Sequence, residues 1–386
     1  METILPRSLY AAFDTFPAPK GAAVHIREFS QTLFGMVPPG LLLTLGTSEL
    51  PSWQLEEDLQ IRRLVSESNN FLQRTIEFSK FVRGHVETVK EGLQIAHFRD
   101  PWGGLPIVRC ENRKFKTVFE VNALPSIELP AKYPGVSSST LDKIRSIELE
   151  CLDRADILVC PSKTIKMFLE SLGMKEKRIE VISNGADIPA EVPERPEEAP
   201  KKYLIYIGAV QPWQGLEVLF KAMQFLRDFS DLYLVLCVSG SKPRLKYLQK
   251  LAERMEINDR LVWNLRFKQP EVHRWLAHAA FSVAPLVECS RNLVQGCCPL
   301  KIVESMAYAV PVIASDIPVV RELIDHRQHG WLVRPDRPAE LARAIRVLLN
   351  NPQQARQLGE NAQKLVADRL TWQASRLSLQ QIYAKL

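Results

Sequence analysis

Apolar runs recur along this chain, and stretches with a 3.6-residue apolar period separate them. In the first half the runs at 8–13, 40–45, 93–98, 117–121, 156–160 and 179–183 predict strands. Amphipathic helices lie between them. Ile26, Phe29, Leu33 and Phe34 mark one apolar face, and Phe71, Phe78 and Val82 part of another. The second half repeats the scheme, with strands predicted at 203–210, 232–238, 261–263, 281–285, 312–315 and 331–333. Such alternation is the pattern of two doubly wound α/β units. Between them, PAEVPERPEEAP at 189–200 carries four prolines and no apolar period, the composition of an extended linker. The expected domains are therefore 1–188 and 201–370, with an amphipathic helix at about 371–386 following them.

The richest stretch for chemistry is GCCPLKIVESMAYAVPVIASDIPVVRE, residues 296–322. An apolar helix with one acid, Glu304, leads into the strand PVIAS. Pro299 suits the start of that helix, since its missing N–H costs nothing there. Gly296, Cys297 and Cys298 are small enough to let backbone N–H groups face a ligand. A helix start of this kind attracts anions through its free donors and macrodipole. Cys298, Pro299 and Leu300 would line it, and Lys301 adds a full positive charge. A diphosphate here, with Glu304 reaching a sugar hydroxyl, is one reading of these residues. An ordinary buried helix and strand of an α/β sheet is the other.

The same stretch resembles the donor-binding signature of the GT-B glycosyltransferases, particularly glycosyltransferase family 4. That signature has two glutamates with seven residues between them, then a small-residue helix and a PVIASD-like strand. Glu304 falls on the second glutamate. The resemblance extends over most of the chain and implies a GT-B fold, that is, two Rossmann-like doubly wound α/β domains facing each other across a cleft. It further implies that the C-terminal helix, with Trp372 and Tyr383, packs back on the first domain.

Length and composition agree with such an enzyme. A chain of 386 residues is long enough for two domains, each with its own core. No apolar run reaches the roughly 18–20 residues of a membrane span, and METILPRSLY lacks the cationic start and apolar core of a signal peptide. Seven cysteines without histidines at metal-ligand spacing read as reduced thiols, so no zinc site is expected. The chain is expected in the cytoplasm, free or at the inner face of the membrane. Charge is uneven: residues 1–200 carry 24 Lys and Arg against 28 Asp and Glu, whereas 201–386 carry 26 against 16. A basic second half suits either a cleft that attracts nucleotide-sugars or a solvated basic surface. Nucleic acid is not an expected partner, because no dense Lys/Arg run or aromatic RNA-binding signature is present.

In the first half, PAPKGAAVHIREFSQTL (17–33) is a strand-to-helix turn with Gly21 at the turn. It is similar to the family's first glycine-rich loop, whose small residues contact the donor. His25, on the emerging helix, reads as structural or hydrogen-bonding. IAHFRDPWGGLP (95–106) ends a strand and gathers His97, Arg99, Asp100 and Trp102 where α/β sheets bind ligands. Many family members carry two histidines here with one residue between them. His97 matches the first, and Arg99 stands at the second. An arginine cannot act as a base at neutral pH, so Arg99 stabilises negative charge on the donor, binds an acidic acceptor, or pairs with a nearby carboxylate as scaffold. Asn122, Ser126 and Glu128 in VFEVNALPSIELP resemble the acceptor-side loop. His97, Arg99 and Asn122 are the catalytic candidates. VISNGADIP resembles the element that ends the family's first domain, with Asp187 the matching acid.

In the second half, YIGAVQPWQGLEVLFKA (206–222) matches the family's first strand and loop, with Gly208 in the loop. It departs at two positions. Ala209 stands where an arginine is common, and Gln214 where a lysine is common; both normally hold the donor diphosphate. Gly296 likewise replaces the first glutamate. Arg291 and Lys301 flank the proposed anion-binding turn and can supply the missing charge, with Gln214 as a neutral donor.

The resemblance implies transfer of a sugar, with retention at the anomeric carbon, from a UDP- or GDP-sugar to a glycan, lipid or small-molecule acceptor. It implies neither metal nor cofactor. The segment 46–92 carries apolar surface amid charge, which suits contact with a membrane-bound acceptor or a helix packed on the sheet. Two other readings stay open. One is a nucleotide-sugar epimerase or phosphorylase on the same fold. The other is a nucleotide-sugar-binding subunit that has lost catalysis, motivated by Arg99, Ala209 and Gly296.

Overall fold

The computed structural model describes residues 5–18, 20–57, 59–265 and 268–386. Residues 1–4 and Pro19, which belong to two of the segments read above, lie outside the described residues. The chain divides into two compact units, 1–183 with 375–386, and 184–374.

The first unit is built on an eight-stranded sheet. Its strands are β1 (Ser8–Thr15), β2 (Gly40–Leu45), β3 (Trp53–Glu56), β4 (Leu59–Leu64), β5 (Ile95–Phe98), β6 (Lys116–Glu120), β7 (Ile157–Cys160) and β8 (Ile179–Val181). They lie in the order β3-β4-β2-β1-β5-β6-β7-β8. All neighbours are parallel except β3 and β4. The inner strands are apolar runs because helices cover both faces, so neither face alternates toward water. Phe78, Val82 and Val86 of the helix Phe71–Val89 are buried on one face, each stabilising the unit by about 1.5–3 kcal/mol. Asn70 caps that helix by accepting from the Gln73 N–H at 3.2 Å. Leu379, Ile382 and Tyr383 of the C-terminal helix are buried as well.

The hairpin β3–β4 is not among the expected strands. It lies in the 46–92 segment, where charged residues break up the apolar positions. Its outer strand leaves Trp53 and Leu55 about half exposed, with Arg62 stacked 5.4 Å from the Trp53 ring. Such an edge strand buries too little for its pattern to stand out.

The second unit holds a parallel six-stranded sheet of β9 (Lys202–Ala209), β10 (Leu232–Ser239), β11 (Leu261–Asn264), β12 (Phe281–Ala284), β13 (Val312–Ser315) and β14 (Trp331–Val333). Its order is β11-β10-β9-β12-β13-β14. Each of these strands overlaps an expected one. Tyr203, Ile205, Val235 and Trp275 fill the core on one face, and Leu204, Leu219, Phe220 and Leu234 that on the other. The segment 189–200 has no helix or strand, and it lies against this unit. Its Pro193 carbonyl accepts from the His278 ring at 2.7 Å and the Glu194 carbonyl from Arg274 at 3.2 Å.

In both sheets the strand order reverses once, between β1 and β5 and between β9 and β12. Ligands of open α/β sheets bind outside the strand carboxyl ends at such points. Both sites described below lie there. No helix of the described residues is long and apolar enough to cross a membrane.

Candidate active site

In the first unit the strand order brings the ends of β1, β5 and β6 together, and with them five polar side chains around one carboxylate. Glu120, the last residue of β6, is 1% exposed. Its oxygens accept from the Tyr10 hydroxyl at 2.6 Å, from Arg99 Nε at 3.0 Å and from the Asn122 amide. His25 Nε2 lies 2.9 Å from one oxygen and His97 Nε2 3.3 Å from the other. Burial alone would raise the pKa of Glu120. The neighbouring His25, His97 and Arg99 reverse that and hold it well below the usual range.

His97 and Arg99, two residues apart at the end of β5, both reach Glu120. His97 is fully enclosed, and its Nδ1 lies 2.6 Å from the Tyr383 hydroxyl on the C-terminal helix. Burial lowers its pKa although Glu120 opposes this, so the ring is neutral at pH 7. A proton on Nε2, facing Glu120, leaves Nδ1 to accept from Tyr383. His25, as expected, is a buried hydrogen-bonding residue, stacked 4.0 Å from Phe29. Arg99 reaches the surface of a pocket while held by Glu120 beneath and by Asp14, 3.7 Å from its Nη1. This is the scaffold pairing considered above.

That pocket, of about 390 Å³, also exposes Phe13, Asp14, Lys20, Phe71 and Asn122. Asp100 sits at its floor. Its carboxylate caps the helix Pro101–Val108 by accepting from Gly103 N–H at 2.9 Å, and it accepts from Phe13 N–H at 2.5 Å. Burial nevertheless pushes its pKa up to about 6. One wall is the short helix Pro125–Lys132, tied down at its start by Glu148, which accepts from Ser126 N–H at 2.7 Å and Oγ at 2.6 Å. Gly21 begins the helix Gly21–Met36 beside Lys20, whose side chain pairs with Asp14. Sequence reasoning missed Glu120 and Glu148. The signal available for Glu120 was an acid inside the apolar run TVFEV.

In the second unit, Gly208 near the end of β9 has φ +132°, a conformation L side chains rarely adopt. A Cβ there would stand 3.2 Å from Lys301 Nζ, close enough to push the ammonium back by a few tenths of an ångström. Gly215, at φ +75°, turns the loop after β9, and any side chain on it would collide with the Pro285 carbonyl. The turn brings Gln214 back over the strand. Lys301 Nζ donates to Gln214 Oε1 at 2.6 Å and lies 4.0 Å from the Tyr206 ring centroid.

Lys301 is 9% exposed, and its hydrogen-bond acceptor is a neutral amide. Burial, with the Arg291 charge working in the same direction, lowers its pKa to about 7. Glu304, one turn along the helix Leu300–Ala307, is pushed up to about 7 by burial, although Gln269 hydrogen-bonds it and Lys301 opposes the shift. Arg291 stacks 5.3 Å from the Trp213 ring. Its turn is clamped by the fully buried Asn292, whose amide donates to the Trp213 carbonyl at 2.9 Å and the Val287 carbonyl at 2.8 Å. Asn292 was not among the expected site residues.

Pro299 stands at the N-cap, just before the helix. Cys298 is buried, and its carbonyl accepts from Asn184 Nδ2 at 2.8 Å. Leu300 opens the helix, with no side-chain cap on its first-turn donors. Gly208, Gln214, Arg291, Cys298, Pro299, Leu300, Lys301 and Glu304 thus come together at the β9/β12 end. His97, Arg99 and Asn122 gather around Glu120, and Gly21 lies beside Lys20, in the first unit. Among the described residues, no three His, Cys, Asp or Glu side chains are grouped to hold a metal ion. All seven cysteines are free thiols.

Comparison with known proteins agrees with this organisation. A family model described as Glycosyltransferase Family 4 matches residues 19–189, and one described as Glycosyl transferases group 1 matches 187–365. An uncharacterized glycosyltransferase of Haemophilus influenzae is 24% identical over 43% of this chain and 45% of its own length. A D-inositol 3-phosphate glycosyltransferase of Thermobispora bispora is 25% identical over 62% of this chain and 58% of its own. The chain thus spans about half the length of these curated relatives. Among solved structures, sucrose-phosphate synthase of Thermosynechococcus elongatus has a TM-score of 0.79 at 18% identity, covering 98% of both chains. Anabaena HepE in complex with UDP-glucose has a TM-score of 0.74 at 15% identity, covering 98% of this chain and 100% of that one. At such identities the likeness shows the fold, two Rossmann-like sheets of the GT-B class.

Proposed function

This chain belongs to the group 1, family 4 glycosyltransferases, and we propose that it moves a sugar from a nucleotide-sugar, a UDP-sugar first among the candidates, to a hydroxyl acceptor with retention. The observation that carries the reading is Lys301 at the reversal point of the second sheet, buried against Gly208, Gln214 and Tyr206. A buried ammonium on a neutral amide is costly by itself, and a diphosphate removes that cost. The uncapped start of the helix Leu300–Ala307 adds backbone donors, and Arg291 a second charge. Lys301 beside Gln214 supports relocation of the family's missing cation from the loop to the helix. Glu304, one turn further, is suited to hold the sugar hydroxyls.

In the reaction, the bond between the anomeric carbon and the diphosphate oxygen breaks, and its electrons leave with the diphosphate. The acceptor oxygen bonds to that carbon from the same face, and its proton passes to the departing phosphate oxygen. The transition state resembles an oxocarbenium ion, so the protein's task is to stabilise the departing charge. Lys301, Arg291 and the helix start perform it without metal or cofactor. The β1/β5 pocket of the first unit takes the acceptor. UDP-glucose in the Anabaena HepE structure supports the choice of a uridine donor.

Calorimetric titration with UDP, GDP, ADP and UDP-glucose tests the reading. One diphosphate nucleotide should bind without added metal, and Lys301→Ala and Glu304→Ala should weaken it. Transfer of labelled sugar to an added acceptor separates a transferase from an epimerase, which turns over donor alone. No binding of any nucleotide would overturn the assignment.

A further inference from the structure

The charges of the β1/β5 pocket are compensated within the chain itself. Lys20 pairs with Asp14, Arg99 with Glu120 at 3.0 Å and Asp14 at 3.7 Å, and Lys132 with Glu128 at 2.9 Å. With Asp100 on the floor, three cations face four carboxylates. Among the described residues that line the pocket, a phosphate dianion meets no cation without a carboxylate, and binding one would separate pairs already formed. Asp14 and Glu128 keep part of their side chains exposed, 22% and 14%. Ionised carboxylates are acceptors only, and they suit hydroxyl donors.

The apolar side of the pocket is aromatic. The Phe71 ring lies edge-on to Phe13 at 5.9 Å and to Trp102 at 6.1 Å, and tilted against Tyr133 at 5.6 Å. Rings held in such a cluster are rigid apolar surfaces, on which the C–H face of a sugar or polyol ring can rest while its hydroxyls reach the carboxylates. A pocket of about 390 Å³ admits one or two such rings.

We propose that the acceptor is an uncharged, ring-shaped polyol or sugar, and that this pocket selects it against its phosphorylated counterpart. The inference rests on the reading of the first-unit pocket as the acceptor side. Its test is calorimetry on the whole protein, with UDP present, using matched pairs: maltose and cellobiose against their phosphorylated forms, and myo-inositol against its 3-phosphate. The neutral member of at least one pair should bind at least tenfold more tightly. The double variant Asp14→Asn, Glu128→Gln, which removes the carboxylates paired with Lys20 and Lys132, should narrow that preference at least tenfold. Equal or tighter binding of the phosphorylated members, or binding of no neutral carbohydrate, overturns the proposal. Titration of UDP alone reports on the donor site separately, so failure there tells against the transferase reading rather than against this one.

Discussion

The two sheets put charge at the same topological position, yet in opposite electrostatic conditions. At the β1/β5 end, Glu120 is enclosed and held by Tyr10, His25, His97, Arg99 and Asn122, so its charge is answered from within the chain. At the β9/β12 end, Lys301 is buried too but rests on Gln214 and the Tyr206 ring. Glu120 titrates well below its usual range, whereas Lys301 and Glu304 are both drawn toward about 7. A compensated carboxylate holds a scaffold rigid. An uncompensated ammonium favours whatever anion replaces its lost hydration, and so converts burial into affinity. Removing a charge should therefore harm stability at the first site and ligand binding at the second.

The largest expected effect is at the scaffold. Glu120→Ala leaves Arg99 and two histidines buried without their acceptor and should cost about 3–5 kcal/mol of stability. A fall in Tm of roughly 10 °C in a thermal melt would agree, and an unchanged Tm would dissolve the contrast. Next comes Lys301→Ala. Loss of a charge-assisted hydrogen bond of about 1.5–3 kcal/mol should weaken UDP or UDP-sugar binding roughly 10- to 150-fold, while the donor-free protein melts no lower than wild type.

The pH dependence sharpens the comparison. Lys301 has a lowered pKa of about 7 in the folded protein, and a bound diphosphate favours its charged form. Donor affinity should hold up below pH 7 and decline above it, by up to about tenfold per unit. Lys301→Arg should abolish that decline in calorimetric titrations. Stability of the donor-free protein has its own sign. The unfolded chain holds the Lys301 proton up to pH 10.5 and the folded one only to about 7, so this residue's contribution grows as pH rises through that window. Glu304, raised from 4.5 to about 7, contributes most at low pH and loses its contribution as pH rises to 7. Glu304→Gln should flatten the acid limb of the melt and Lys301→Met the alkaline one.

The smallest effect belongs to the edge of the scaffold. Tyr383→Phe removes the hydroxyl 2.6 Å from His97 Nδ1 and should destabilise the first unit by about 1 kcal/mol. Donor affinity, measured on the same variant, should not move. A loss of donor binding would mean that the two sites are not separable as argued.

Much of this fold is legible without coordinates. The twelve expected strands all exist, because buried parallel strands are unbroken apolar runs whatever their neighbours. The hairpin β3–β4 escaped because an edge strand exposes half its side chains and its apolar signal is correspondingly diluted. The residues from Gly296 to Glu304, proposed above to bind the donor, are contiguous, and so the helix start and its lysine can be read together. The scaffold around Glu120 is not contiguous. Tyr10 lies 110 residues from it and Tyr383 is 286 residues from His97, so no local pattern relates them.

The amino-acid sequence by itself determined most of the elements, their alternation into two α/β units and the charge of the helix that carries Lys301. These follow from local periodicity and from residue types near one another in the chain. Only the tertiary structure decided that Lys301 meets Gln214 across 87 positions, that Glu120 is a buried hub, and that the cations of the β1/β5 pocket are paired. The physical reason is that a side chain's charge state and partners depend on burial and distance. Those are settled when strand order brings remote strand ends together.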